Sequence, residues 1–337
     1  MTDRPLPTKP FLVVRDDAPA LDALKGAVVA IGNFDGVHRG HRAVIGAAIE
    51  LAHELGRPAV AVTFEPHPRR VLRPDLPLFR LTDEAAKLRL LAASGLDGVL
   101  VMTFDAALAG LSAQDFVHRI LVGKLELAGA TIGFDFHYGK DRGGSPAFLA
   151  AEGQRLGFPV EIVAPLEDEG RPVSSSEIRA ALAAGQVVEA AELLGHPWFV
   201  SAVVIHGDKR GRELGYATAN LRLDPDCGLK HGIYAVRVGI AGRIHGGVAS
   251  FGRRPTFDDG APLLEVHVLD FSADLYGVTI DVVFISWIRA EMKFASVADL
   301  VRRMDDDSRL ARAALARAGV AFPPLGALDL PGVRTAG

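Results

Sequence analysis

The stretch that decides the fold of the first half of the chain is Gly32-Asn33-Phe34-Asp35-Gly36-Val37-His38-Arg39-Gly40-His41. An apolar run over 27–31 precedes it, and a helical pattern follows over 41–55. Strand, glycine-rich turn and helix in this order aim backbone N–H groups at a phosphate. The helix entrance carries two histidines instead of the lysine of a P-loop, and the glycine spacing differs from Gly-x-Gly-x-x-Gly. Two imidazoles at a positive helix end suit a triphosphate from which pyrophosphate leaves.

Simpler interpretations exist for the two histidines. A surface turn explains a lone His-x-Gly-His, and two histidines without an obvious third ligand make a poor zinc site. The surrounding residues favour phosphate, because the stretch resembles the ATP-binding signature of the nucleotidylyltransferase superfamily, in its flavin-nucleotide-forming branch. The resemblance implies that ATP is bound by Gly32, Asn33, Phe34, Asp35, Gly36, His38, Gly40 and His41.

Length and composition set the class of protein. A chain of 337 residues favours two domains, and 49% apolar with 23% charged residues is typical of a globular protein. A net charge of −4 gives no reason to expect nucleic acid. The single cysteine, Cys227, excludes an internal disulfide, and we interpret it as a small apolar side chain in a reducing compartment. Without a signal-peptide pattern or an apolar stretch of about 20 residues, we expect a cytoplasmic protein with no membrane partner.

Short apolar runs alternate with helical patterns in the first half. Such alternation predicts a parallel sheet covered on both faces. The predicted strands are 27–31, 59–64, 98–104, 130–134 and 160–163, with helical patterns over 41–55, 82–93, 112–127 and 145–156 between them.

Polar side chains follow three of these predicted strands. His38 and His41 follow the first strand, His67 follows the second and Asp135 follows the fourth. Ligands of open parallel sheets bind beyond the carboxyl ends of the strands. We therefore expect these side chains to converge on one crevice.

The segment Arg171-Pro172-Val173-Ser174-Ser175-Ser176-Glu177-Ile178-Arg179 has two compatible interpretations. Ser174 and Glu177 can form a capping box at a helix start. The same N–H groups and hydroxyls, with Arg179 a turn further on, can bind phosphate. The segment resembles the Ser-Ser-Thr-x-Ile-Arg motif of the same family, with serine in place of threonine at position 176. The resemblance implies ATP binding by Ser174, Ser175, Ser176 and Arg179.

Two further motifs support this resemblance: Thr63-Phe64-Glu65-Pro66-His67-Pro68, and Gly133-Phe134-Asp135-Phe136-His137-Tyr138-Gly139, in which His137 and Tyr138 depart from the usual arginine and phenylalanine. Taken alone, His67 would be a surface turn residue and Asp135 a loop cap. The resemblance implies that both bind FMN. It also implies adenylyl transfer, in which a phosphate of FMN attacks the α-phosphorus of ATP while His38, His41 and Arg179 hold the triphosphate with Mg²⁺.

The second half changes its period. Strand-like runs over 199–205, 233–240, 247–251, 264–270 and 278–284 have no helices between them, which predicts an antiparallel barrel. A helical pattern over 296–318 and a Pro/Gly-rich tail from Pro323, expected to be loose, follow. Within the run 264–270, strand alternation places Glu265 and His267 on one face. A carboxylate there is either a solvated edge residue or a working group.

A glycine-rich stretch begins the barrel region: Gly207-Asp208-Lys209-Arg210-Gly211-Arg212-Glu213-Leu214-Gly215-Tyr216-Ala217-Thr218-Ala219-Asn220. Alone it is a weak signal for polyphosphate binding. Thr218 and Asn220 place two oxygen ligands on one side of an extended segment, which suits Mg²⁺.

This stretch and the later His231-Gly232-Ile233-Tyr234-Ala235, Gly252-Arg253-Arg254-Pro255-Thr256-Phe257, Glu265-x-His267, Asp274-Leu275-Tyr276-Gly277 and Arg289-x-Glu291-x-Lys293-Phe294 resemble riboflavin kinase. The resemblance implies that Glu265 is the general base for the ribityl hydroxyl and that Thr218 and Asn220 bind Mg²⁺. It further implies ATP binding by Gly207, Lys209, Gly211, Arg212, Gly215, Thr218 and Asn220, and riboflavin binding by Glu265, Arg289 and Phe294. Ala217 replaces the family's proline, and Ser250 stands where asparagine is frequent.

Together the resemblances imply a bifunctional riboflavin kinase/FAD synthetase that makes FMN and then FAD from ATP, riboflavin and FMN. The expected fold is an α/β nucleotidylyltransferase-type (Rossmann-like) domain over 15–184, a riboflavin kinase β-barrel with a C-terminal helix over 185–322, and a tail over 323–337. We expect a monomer or transient homo-oligomer. The alternatives are a chain whose barrel only binds flavin, which Ala217 and Ser250 motivate, and a flavin sensor without turnover.

Overall fold

The computed structural model describes residues 11–168, 170–206, 216–253 and 262–328. Contacts divide these residues into two units. The first unit holds residues 11–78, 83–173 and 324–328, and the second holds 79–82 and 174–323, each within the described ranges. The predicted boundary at 184/185 stays a prediction.

A six-stranded parallel sheet forms the centre of the first unit. Its strands are β1 (Leu12–Arg15), β2 (Val28–Ile31), β3 (Ala59–Glu65), β4 (Gly98–Thr103), β5 (Gly129–Gly133) and β6 (Val160–Val163). They lie in the order β1-β4-β3-β2-β5-β6. All four residues of β2 are buried, as expected for a strand covered on both faces. The predicted parallel sheet is confirmed.

Helices cover this sheet. They are α1 (Arg39–Leu55), α2 (Pro68–Leu72), α3 (Glu84–Ala92), α4 (Ala106–Ala109), α5 (Ala113–Asp115) and α6 (Pro146–Leu156). Left-handed glycines end α1 and α6 at Gly56 and Gly157, as C-caps do. The helix predicted over 112–127 is only partly α-helical, because a π-helical stretch, Phe116–Val122, continues α5.

The sequence prediction missed β1, which pairs with β4 so that Leu12 lies opposite Gly98. A β-carbon at position 98 would stand 2.7 Å from the carbonyl oxygen of Leu12. Only glycine allows this approach without a shift of the backbone. The close fit of these two strands is a tertiary feature that cannot be predicted from the short run 12–15.

The second unit is a barrel of antiparallel strands with helices packed on it. A small hairpin of the first unit precedes the barrel in the sequence, formed by β7 (Glu167–Asp168) and β8 (Arg171–Pro172). The barrel strands are β9 (Phe199–Val203), β10 (Ala219–Arg222), β11 (Gly232–Ile240), β12 (Arg243–Arg253), β13 (Pro262–Val268) and β14 (Thr279–Arg289). Their order is β10-β13-β12-β11-β14-β9, and a bridge between Ile205 and Asn220 joins the two ends. The predicted barrel is therefore confirmed as nearly closed.

Among its described residues, this unit has three helices: α7 (Ser175–Ala184), α8 (Val187–Leu194) and α9 (Val297–Ala318). The buried faces of α7 and α8 join one core with Trp198, Tyr234 and Phe251 of the barrel region. The tail after Pro323 is not loose throughout, which corrects the prediction. The Gly326 N–H donates a hydrogen bond of 2.9 Å to the carbonyl of Arg89 within the first unit.

Cys227 lies buried in the barrel core, and burial raises the pKa of its thiol to about 11. The thiolate is the reactive form of cysteine. We therefore expect iodoacetamide at pH 8 to modify the folded chain roughly a hundredfold more slowly than the unfolded chain. Mass spectrometry over time measures both rates, and similar rates would contradict a passive, buried cysteine.

Candidate functional sites

Strand order in the parallel sheet brings three motif-bearing turns together. Strand β2 lies between β3 and β5. The strands β3 and β4 are added on one side of β2, and β5 and β6 on the other, so the strand order reverses between β2 and β5. Such a switch point is where open α/β sheets bind ligands, beyond the carboxyl ends of the strands. The turns that follow β2, β3 and β5 carry His38, His67 and Asp135, so the topology supports the predicted crevice.

The turn after β2 has unusual backbone geometry. Phe34, Gly36 and Val37 have φ angles of +50°, +85° and +42°. Positive φ is a marked departure for a β-branched residue, and such strain costs about 1–3 kcal/mol per residue. Both Phe34 and Val37 are fully buried, so packing around the turn holds it in this shape. Backbone strain of this kind is frequent in turns that bind ligands.

His38 caps helix α1. Its Nδ1 accepts a hydrogen bond of 3.3 Å from the N–H of His41. A neutral imidazole that accepts at Nδ1 carries its proton on Nε2. Nε2 is therefore the ring atom with which His38 can donate to a phosphate oxygen.

The rings of His38 and His41 stack, with centroids 3.6 Å apart and planes 22° from parallel. A β-carbon at Gly40 would approach the His38 ring and the carbonyl of Val173 to 3.2 Å each. The glycine of the His-x-Gly-His pattern thus leaves room for the His38 ring beside the helix start. The structure brings these two predicted residues together at the positive end of α1.

The other predicted residues of this site differ in their surroundings. His67 is buried, and its Nδ1 accepts 3.2 Å from the Arg69 N–H at the start of α2, so it caps a helix instead of lying on a surface turn. Asp135 is exposed, and its carbonyl contacts Nδ1 of His137 at 2.9 Å. Their roles toward FMN stay predictions.

Ser174 caps α7 as predicted, because its hydroxyl accepts 3.3 Å from the Glu177 N–H. Arg179, one turn into α7, donates from Nε to the carbonyl of Phe79 at 2.5 Å. Residues 174–179 belong to the second unit by their contacts. Their place in the triphosphate site of the first unit stays a prediction.

The barrel brings Glu265 together with two residues named from the sequence. In the strand register, Glu265 of β13 lies directly opposite Asn220 of β10 on one side and Ser250 of β12 on the other. Side chains directly opposite in antiparallel strands lie about 4.5–5.5 Å apart at Cβ. A carboxylate, an amide and a hydroxyl thus stand in one row across three strands.

Ser250 and Glu265 of this row line a cavity of about 220 Å³, and Asn220 lies buried beside them. Thr218, Ser250, Glu265, Arg289 and Phe294 line the cavity. Four of these five residues are predicted from the sequence to bind ligands. The fifth, Ser250, stands where asparagine is frequent in the family. The cavity is the candidate kinase site.

The sequence prediction missed part of the cavity wall, which helix α9 supplies through Leu300, Met304, Asp307 and Ser308. Asp307 is 3% exposed and forms a bidentate ion pair with Arg289, with Nε 2.9 Å from Oδ1. Its spacing of four residues from the buried Ala311 is the signal that could have identified it. Arg289 is thus held at the cavity wall by α9.

Tyr216 and His267 also line the cavity. Their ring centroids lie 4.9 Å apart, and Nδ1 of His267 contacts the carbonyl of Ala217 at 3.0 Å. Desolvation, with a hydrogen bond to Asp305, raises the pKa of Tyr216 to about 12. The predicted ATP-binding residues Gly207, Lys209, Gly211, Arg212 and Gly215 lie outside the described residues.

Comparison with known proteins gives the family. A family model described as FAD synthetase matches residues 21–177, and one described as riboflavin kinase matches residues 194–315. The bifunctional riboflavin kinase/FMN adenylyltransferase of Pseudomonas fluorescens is 43% identical over 290 residues, which cover 86% of this chain and 93% of the relative. The chain belongs to the bifunctional riboflavin kinase/FMN adenylyltransferase family.

A second relative in this family, from Escherichia coli (strain K12), is 40% identical over 289 residues, which cover 86% of this chain and 92% of the relative. Membership confirms the predicted function: an ATP-using enzyme with riboflavin kinase and FMN adenylyltransferase activities, acting in flavin cofactor synthesis.

A solved structure described as a macrolide-efflux protein from Streptococcus pneumoniae superposes with a TM-score of 0.80 at 32% identity, over 90% of this chain and 99% of that one. Across the residues that the structure describes, no helix is both long and apolar enough to cross a membrane.

Proposed function

We propose that each unit carries one of the two activities, with the barrel forming FMN and the parallel-sheet unit converting FMN to FAD. The observation that carries the assignment is Glu265 at the barrel cavity, with Ser250 and Thr218 in the same cavity wall and Asn220 directly opposite Glu265 in the strand register. The first unit offers imidazoles at a helix start instead. These two donor sets suit different reactions.

In the barrel, Glu265 accepts the proton of the terminal ribityl hydroxyl of riboflavin. The freed oxygen bonds to the γ-phosphorus of ATP as the bond between γ-phosphorus and the bridging oxygen breaks, which gives FMN and ADP. An aliphatic hydroxyl needs such a base, because it is neutral at physiological pH. Phe294 offers an aromatic face to the flavin, and Asp307 holds Arg289 at the cavity edge.

Thr218 and Asn220 fit a magnesium ion. Their hydroxyl and amide oxygens are hard donors, as Mg²⁺ prefers. The Asn220 amide nitrogen contacts the carbonyl of Thr218 at 3.4 Å, which leaves the amide oxygen as the group that turns elsewhere. When bound with ATP, the ion neutralises charge on the transferred phosphoryl group. The glycine-rich residues Gly207, Lys209, Gly211, Arg212 and Gly215 are proposed to bind the ATP phosphates with them.

In the first unit, a phosphate oxygen of FMN bonds to the α-phosphorus of ATP, and pyrophosphate leaves. The attacking oxygen is already an anion, so the step requires charge stabilisation and orientation rather than a base. His38 and His41 at the start of α1 are proposed to hold the triphosphate. ATP binding by Ser174, Ser175, Ser176 and Arg179 is proposed from the family resemblance alone. His67 and Asp135, which follow the adjacent strands β3 and β5, are proposed to hold FMN.

The departure at Ala217 does not favour a barrel that only binds flavin. Proline in this position would fix the backbone before Thr218. Here the carbonyl of Ala217 is held by the His267 ring at 3.0 Å instead. The barrel therefore has its own means of ordering the segment that carries Thr218 and Asn220, as an active kinase requires.

Further proposals follow from the family and from the sequence. We propose that the enzyme acts in the cytoplasm as a monomer or transient homo-oligomer, without nucleic acid or membrane partners. The proposed domains are residues 15–184 and 185–322, with 323–337 as a tail.

The purified chain, incubated with riboflavin, ATP and Mg²⁺, tests the assignment. Chromatography separates riboflavin, FMN and FAD. We expect FMN to appear first and FAD to follow, and added FMN to give FAD without riboflavin. FAD formation from FMN without any phosphorylation of riboflavin would leave a barrel that only binds flavin, and no turnover in either assay would leave a flavin sensor.

A further inference from the structure

Lys87 of α3 is buried in the first unit at 1% exposure, which is unusual for a lysine. Its ammonium lies 2.7 Å from Oε1 of Glu65, 3.1 Å from Oγ1 of Thr63 and 3.2 Å from the carbonyl oxygen of Phe64. The carbonyl oxygen of Asn33 is 3.4 Å away. One cation thus meets four oxygens from two separate segments.

Those segments are the turn after β2 and the end of β3. Asn33 directly precedes Phe34, the first residue with positive φ in the proposed triphosphate turn, and Glu65 lies two residues before His67. The Thr63 hydroxyl joins the same network, because it donates 3.1 Å to the carbonyl of Asn33. Lys87 and Thr63 therefore tie the carbonyl at the base of the turn to the strand that leads to the proposed FMN site.

Stability alone does not account for a buried ion pair here. Burying a lysine and a glutamate carries a large desolvation cost, and apolar residues of similar volume often replace such pairs without loss of stability. The other buried positions of α3 are apolar, one alanine and three leucines: Ala86, Leu88, Leu90 and Leu91. A lysine among apolar residues, aimed at a main-chain carbonyl of a turn with left-handed Phe34 and Val37, indicates that geometry is what it maintains.

We propose that Lys87 is a positioning residue for adenylyl transfer, acting through Asn33 and Thr63 on the turn that presents His38. The proposal rests on the function assigned above to the first unit. Lys87 touches no substrate in this scheme. It fixes the turn against β3, so that the phosphate-binding groups keep their orientation when ATP arrives.

The double variant E65Q/K87M tests this role without leaving a buried charge. We expect kcat for FAD formation from FMN to fall about a hundredfold, the scale of a displacement near 1 Å. The KM values for ATP and FMN should change less than kcat. Riboflavin phosphorylation by the same chain should stay within about twofold, because the barrel has its own core, and the Tm of the variant reports folding of the first unit.

A matched pair of threonines keeps the test decisive if the double variant fails to fold. Thr63 and Thr131 are both fully buried in the first unit, and each hydroxyl donates to one main-chain carbonyl, of Asn33 at 3.1 Å and of Val44 at 3.0 Å. T63V and T131V each remove one bond to a main-chain carbonyl, and T63V also removes the bond from the Lys87 ammonium, so its Tm should fall at least as far as that of T131V. We expect T63V to lose about tenfold in kcat for FAD formation and T131V less than about twofold.

A double variant with kcat for FAD formation within about threefold of the unaltered chain would overturn the role of Lys87. Equal losses in T63V and T131V would overturn it as well. Failure of the underlying assignment is distinct, because the unaltered chain would then form no FAD from added FMN.

Discussion

The Glu265→Gln variant should lose riboflavin phosphorylation by about a thousandfold in kcat, within the range that general-base removal produces. Glutamine keeps the size and the hydrogen-bonding reach of the side chain between Asn220 and Ser250, but it cannot accept the hydroxyl proton. Steady-state rates of FMN formation at saturating ATP measure the loss. Adenylylation of added FMN by the same variant should be unchanged, because that activity is assigned to the other unit.

The cavity offers a matched comparison in Glu291, its second glutamate. E291Q removes the same charge from the same cavity but leaves the row across β10, β13 and β12 intact. We expect it to lose less kinase activity than E265Q. If E265Q lowers both activities together, or if E291Q equals it, the assignment of Glu265 as the base is wrong.

The His41→Ala variant should lower FAD formation from FMN by about two to three orders of magnitude, the scale for removing one oriented donor from a site of developing charge. It removes one imidazole from the positive end of α1 and the stacking partner of His38. The rate of FAD formation from FMN and ATP, followed by chromatography, gives the effect. Riboflavin phosphorylation should continue at its normal rate.

His53 provides the control on the same helix. It lies exposed in the last turn of α1, far along the chain from the triphosphate turn. H53A should leave FAD formation within about twofold, because surface substitutions of this kind have small effects. Near-normal FAD formation by H41A, or an equal loss in H53A, would contradict the proposed role of His41.

Much of the fold could be predicted because its signals are local. The buried strands β2 and β3 are β-branched and apolar runs, and Gly56 marks the end of the helix that follows β2. β1 gave no comparable signal, since its four residues are extended only because Gly98 admits them beside β4. The π-helical stretch after α5 likewise depends on hydrogen bonding that a helical pattern over 112–127 does not distinguish from an α-helix.

The site residues likewise divide into those with a local sequence signal and those that depend on contacts between distant segments. The period of two in β13 correctly placed Glu265 and His267 on one face, but it could not show that Asn220 and Ser250 flank Glu265, since register is set by pairing between distant strands. Lys87 and Asp307 escaped prediction because charged residues in helices ordinarily face water. Both are buried here by partners 22 and 18 residues away in sequence, Glu65 and Arg289.

Neither unit is one uninterrupted length of chain. The second unit includes Phe79 and Leu81, whose carbonyls accept hydrogen bonds from Arg179 and from the indole of Trp198 at 2.8 Å, while the first includes Gly326 near the other end of the sequence. A single fragment cut to contain only one unit would therefore lack either these carbonyl acceptors or the segment around Gly326 that bonds to Arg89. Dissection of the two reactions is better done by point substitution within the whole polypeptide.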